Sequence, residues 1–159
     1  MCKQDVQRQG DMPLEIGSNK LVILLTVVSI GFVAWIIYKA DTGKKGYLFE
    51  LAHQLPYGDK IGHLLLFAGL AFVLNLALSL RGLKLGPVKL YWGSLGVLVF
   101  SYAEEFRQYY VPGRTFDRLD LVADALGVLI ATLITWLLAI VLRQIARRRG
   151  ARSPVPQES

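Results

Sequence analysis

The chain has 159 residues, enough for one domain, and 53% of them are hydrophobic, with a mean hydropathy of +0.42. The apolar residues come in long blocks, which argues against a soluble domain and points to a membrane protein. The net charge of +6 then reports orientation and contact with anionic lipid rather than nucleic-acid binding, and a single cysteine, Cys2, excludes an intramolecular disulfide.

Residues 1–20 are polar and mixed in charge and read as a loosely ordered arm. Residues 21–38 are apolar apart from Thr26 and Ser29. At about 1.5 Å per residue that run just crosses a hydrocarbon core of about 30 Å. The long arm before it, and the lack of a small-residue cleavage site after it, predict a retained first span rather than a signal peptide, with Trp35 and Tyr38 as interfacial anchors. A polar loop follows over 39–60, with a short interfacial helix expected over 47–55. Residues 61–80 are the second predicted span, broken only by His63 and Asn75. A tight basic connection over 81–89 makes spans two and three an antiparallel hairpin.

The third span is the informative one. Residues 90–103 are too few to cross alone, and Pro87 and Lys89 limit the helix at its start. The helix must therefore run on through Glu104, Glu105 and Gln108. That draws carboxylates to membrane depth, where charge is costly and marks function. Glu104 reads as a solvated boundary residue. Pro112-Gly113 turns the chain. The fourth span, about 119–142, carries Asp120 and Asp124 in its first turns.

The predicted fold is all-α: an integral membrane protein with four transmembrane helices in an antiparallel bundle. A membrane domain over 21–142 is flanked by the arm and by an arginine-rich tail over 143–159. The arm, the 81–89 connection and the tail hold eleven Lys and Arg, against seven in the other two loops. Positive-inside bias then places both termini in the cytoplasm.

That topology puts the unusual polar residues at one level, near the outer leaflet. Asp59 and His63 share a helix face, as do Glu105 with Gln108 and Asp120 with Asp124. Three helices can each aim a polar face at a common cleft. Below it, Ala123, Gly127 and Ala131 form a small-residue ridge suited to close helix packing. In this reading Asp59 orients His63, and Arg114 suits a carboxylate or phosphate. Asp120 either caps the fourth helix or pairs with Arg118. Six acids (Asp59, Glu104, Glu105, Asp117, Asp120, Asp124) face four bases (Lys60, Arg107, Arg114, Arg118), an excess unfavourable for a highly anionic ligand. His63, Glu105, Asp120 and Asp124 are ligand types for zinc or manganese, but no compact metal motif is present, and neither a metal nor another cofactor is expected. Ser101 lies near Glu105 without a nucleophile-elbow pattern.

The segments DKIGH at 59–63, EFRQ at 105–108 and VPGRTFD at 111–117, followed by Asp120, Asp124 and Gly127, resemble the signature of the VanZ-like family of small bacterial membrane proteins. The matching positions are Asp59, Lys60, His63, Glu105, Gln108, Pro112, Gly113, Arg114, Asp120 and Gly127, within a resemblance covering roughly residues 20–145. At position 124 the family often shows asparagine where this chain has aspartate. The resemblance implies a multi-pass protein of the bacterial plasma membrane, associated with the cell envelope and, through the family's founding association, with teicoplanin resistance. It implies no particular reaction. Three readings follow. The first is a cleft that binds the head group of an envelope lipid or lipid-linked glycan precursor. The second is a lipid-modifying hydrolase or transferase with Glu105 or His63 as general base. The third is a non-catalytic assembly partner whose polar residues hold helices together.

Overall fold

The computed structural model describes residues 19–43, 46–85 and 88–150. Cys2, Pro87, most of the N-terminal arm and the end of the tail lie outside them. The order is helix α1 (Lys20–Asp41), α2 (Tyr47–Gln54), α3 (Gly58–Ala77), strands β1 (Gly82–Leu85) and β2 (Val88–Tyr91), then α4 (Trp92–Gln108) and α5 (Arg118–Gly150).

Local chemistry sets these boundaries. Asn19 caps α1 by accepting from the Leu21 N–H at 2.9 Å. Gly43, at φ +66°, releases the chain after its last turn. Ser79 and Leu80 both hold positive φ where α3 ends, and they feed the antiparallel hairpin that pairs Gly82 with Tyr91 and Leu85 with Val88. The expected tight connection over 81–89 is thus a β-hairpin, and α4 starts only at Trp92. The helix expected near 47–55 is α2, packed on α3. The last helix runs on past the expected end near 142 to Gly150, so the first basic residues of the tail are helical.

Three helices are long and apolar enough to cross a membrane: α1, α3 and the Arg118–Ala146 stretch of α5. The other long helix, α4, has 17 residues and ends in the carboxylates. Large apolar side chains are exposed along every long helix, among them Leu24, Leu65, Val99 and Leu137. Such continuous apolar surface suits contact with lipid. These features make the chain a multi-pass membrane protein.

The packing centre is α3 against α5, with α4 touching both and α1 packed on α3. The interior is layered. An apolar layer joins Val33, Phe67, Ala71, Val97 and Val128 from four helices. Beside it lies a buried polar knot. There Asn75 donates to Ser94 (2.9 Å) and Thr135 (3.3 Å), and Ser94 Oγ meets Thr132 Oγ1 at 2.8 Å. Leu80, Tyr91 and Ala139 close the hairpin end. At the opposite end, beyond the apolar layer, lie the charged residues of α3, α4 and α5.

Candidate functional site

The site begins with how α5 approaches α3. A side chain at Gly127 would strike the Leu64 carbonyl, so only glycine permits this approach. It carries the first turns of the two helices together. His63 Nδ1 then lies 2.9 Å from Asp124 Oδ1, and its Nε2 lies 3.8 Å from Asp120 Oδ2. Ser101, from α4, donates to the other Asp124 oxygen at 2.5 Å. Asp124 is 1% exposed, so two polar side chains stand in for its lost water.

Lys60 ties the two helix starts together at the rim. Its ammonium bonds Asp117 at 2.5 Å and also Asp120. Asp117 precedes α5 and accepts from the Leu119 N–H at 2.8 Å, so it caps the helix. The Lys60 hydrogen bond, with the capping N–H behind it, holds the Asp117 carboxyl below its ordinary range. A depressed carboxylate contributes stability that is present above its unfolded pKa and lost as pH falls through its folded one. Asp117 is partly solvated, so the effect is small. Wild-type protein in detergent should lose stability as pH drops below the ordinary carboxylate range near 4. Asp117→Asn, which keeps a capping oxygen, should melt slightly lower at pH 7 and fall less steeply in acid. Parallel acid slopes in thermal melts would contradict this.

From α4, Glu105 is fully buried. Its Oε1 accepts from the Asp117 N–H at 2.6 Å and its Oε2 from Gln108 at 2.9 Å. Gln108 also donates to Glu104 at 2.6 Å. Arg107 lies between Glu104 (3.0 Å) and Asp41 at the end of α1 (2.9 Å). In the loop, Pro112 and Gly113 (φ +80°) form a turn closed by the Arg114 N–H on the Val111 carbonyl at 3.1 Å. This turn carries Arg114 to a hollow of about 480 Å³ between α1, α2 and α3. The hollow's walls are mainly apolar; Asp59, His63, Glu104 and Arg114 are its polar lining. Arg114 Nε is buried and has no hydrogen-bond partner among the described residues.

Three local expectations are corrected. The carboxylate on His63 is Asp124, not Asp59, which is largely exposed beside Lys60. Asp120 pairs with Lys60 rather than Arg118. Glu104 is buried between Arg107 and Gln108, not solvated. Lys60 and Asp117, counted in the sequence only as cleft charges, bridge the two helix starts, and the signal for Lys60 is its place three residues before His63, on the same helical face. Ser101 lies midway in a heptad stripe with Ser94 and Gln108, a spacing that marks the inward face of α4. Among the described residues, no group of three or more His, Cys, Asp or Glu is placed to hold a metal.

No curated protein and no solved structure matches the chain. Residues 8–140 match the family model for VanZ/LLP1, most of the 159-residue length. The chain therefore belongs to the VanZ/LLP1 family.

Proposed function

We propose that this is a four-span protein of the bacterial plasma membrane, both termini cytoplasmic, whose outward cleft binds the head group of an envelope lipid or lipid-linked glycan precursor. Helix α4 is the third span, shorter than the other three. Its 17 residues reach about 25 Å at about 1.5 Å each, and pairing of its carboxylates lets it dip below the interface. The observation that carries the binding role is Arg114: a buried, unpaired guanidinium nitrogen at an apolar hollow. In this account Arg114 holds an anionic group, while Glu104 and Asp59 accept hydrogen bonds from sugar or head-group donors. Glu105 and Gln108 keep the loop that carries Arg114 in place. A ligand of this class would also connect the protein to glycopeptide resistance.

Native mass spectrometry of the detergent-solubilised wild type beside Arg114→Ala tests the reading. A lipid adduct should be present in the wild type and weakened about 10- to 100-fold in the variant, the equivalent of about 1.5–3 kcal/mol for one charged hydrogen bond. The same adduct in both proteins would contradict it, and no adduct in either would favour the assembly role.

One observation supports a second, enzymatic reading. Asp124 fixes His63 through Nδ1 in the hollow's wall, the arrangement of a general base oriented by a carboxylate. Ser101 bonds to the carboxylate and not to the imidazole, so it is not an activated nucleophile.

A further inference from the structure

Helix α1 separates two apolar hollows. The first, about 480 Å³, is the one that Arg114 lines. The second, about 710 Å³, lies between α1, α3 and α4. Both fall in the range of about 300–1,000 Å³ typical of small-ligand sites. Ile37 and Glu104 border both hollows, so the two meet around α1 near its site end. The charged residues of the second are Asp41, Glu104 and Arg107, all at that same end.

Two buried polar atoms lack hydrogen-bond partners among the described residues, and each belongs to one hollow. Arg114 Nε is a cationic donor at the first; Asp41 Oδ1 is an anionic acceptor at the second. Buried groups of this kind are costly unless something pairs with them. A complementary ligand brings an anion to Arg114, a donor to Asp41, and apolar mass to both sides of α1.

We propose that the site takes a two-chain aminophospholipid, with its phosphate diester at Arg114, its ammonium toward Asp41 and Glu104, and one acyl chain in each hollow. This rests on the head-group reading above and narrows it. Charge favours the zwitterion. With Asp41 added to the six acids of the cleft, carboxylates outnumber Lys and Arg, which opposes a purely anionic head. Arg107 does not relieve this, being paired with both Asp41 and Glu104. A single-chain polyprenyl phosphate would fill one hollow and leave Asp41 Oδ1 without a donor.

Two glycines allow each hollow to be filled separately. A Cβ at Gly62, in the first, or Gly96, in the second, meets nothing within 4 Å. Leucine at either position projects into open space and improves helix propensity. Full-length protein in detergent is offered equal phosphatidylethanolamine, phosphatidylglycerol and a single-chain polyprenyl phosphate, and occupancy is read by native mass spectrometry. Phosphatidylethanolamine should bind at least about tenfold better than either competitor. Gly62→Leu and Gly96→Leu should each weaken it about tenfold or more, and Asp41→Asn should erase its advantage over phosphatidylglycerol. Should a leucine variant melt well below wild type, Ala103→Leu in the second hollow and Arg114→Ala at the first replace it. Polyprenyl phosphate binding that is lost in Gly62→Leu but indifferent to Gly96→Leu would overturn the two-chain proposal and leave the head-group reading standing. Equal, variant-independent binding of all three would mean annular lipid only and would overturn it too. No lipid of any class on the wild type would sink both readings.

Discussion

Gly127→Leu should abolish recovery of correctly folded protein. The contact it disturbs is α3 against α5, the most extensive in the molecule. A side chain at 127 would meet the Leu64 carbonyl and the Ala68 backbone nitrogen. Neither can rotate away, so the helices must part. Overpacking typically costs about 1–3 kcal/mol and more where relief is blocked, and this contact is backbone on both sides. The expected loss is therefore at or above the top of that range. Separation would also pull Asp124 from His63 and Lys60 from Asp120. Gly69→Leu is the control: it lies on the same helix as Leu64, but its added Cβ meets nothing within 4 Å. Size-exclusion profile and thermal melt in detergent read the outcome. Wild-type behaviour of Gly127→Leu would show that the α3–α5 approach is not as close as described.

Asp124→Ala should be nearly as damaging, and Asp124→Asn much less so. Alanine leaves Ser101 and His63 facing an empty acceptor position in a region closed to water. Leaving a buried hydrogen-bonding group without its partner costs about 1–3 kcal/mol, and alanine strands two such groups. Asparagine keeps an acceptor oxygen and loses only the charge. Its cost should be close to one neutral hydrogen bond, about 1 kcal/mol. Asparagine is also the residue the VanZ-like pattern often carries at this position. A thermal melt of the three proteins at pH 7 decides the matter, and equal melting of the alanine and asparagine variants would contradict the bridging role. If Asp124→Asn folds normally yet loses function, the negative charge of Asp124 beside His63 matters to the chemistry, which would favour the enzymatic reading.

Much of this was legible in the chain because charges inside apolar runs are conspicuous. The shortness of residues 90–103 alone required a helix continuing through Glu105 and Gln108, and α4 does so. The ridge of Ala123, Gly127 and Ala131 likewise lies buried where α5 meets its neighbours. The misassignments share a physical cause. Local spacing pairs residues along one helix, whereas this site is wired between helices. Spacing along α3 matches His63 to Asp59 one turn away, yet the close approach at Gly127 delivers Asp124 from another helix. Glu104 looks solvated because linear spacing supplies Arg107 at i+3 and Gln108 at i+4 but not the end of α1, whose Asp41 closes over Arg107 from another helix. The hairpin at 82–91 was hidden for a different reason: it depends on two non-glycine residues, Ser79 and Leu80, adopting positive φ, which their side chains disfavour.

An outer-leaflet ligand requires the polar cluster to face outward. Cysteine accessibility in intact bacterial cells tests this most directly, on a Cys2→Ser background. Thr115→Cys lies in the exposed loop beside Arg114, and Leu83→Cys lies in the exposed hairpin at the opposite end of the bundle. A membrane-impermeant maleimide should label position 115 in intact cells and position 83 only after permeabilisation. Labelling of 83 with protection of 115 would turn the protein over, bring the cleft to the cytoplasmic face, and remove the case for an outer-leaflet ligand.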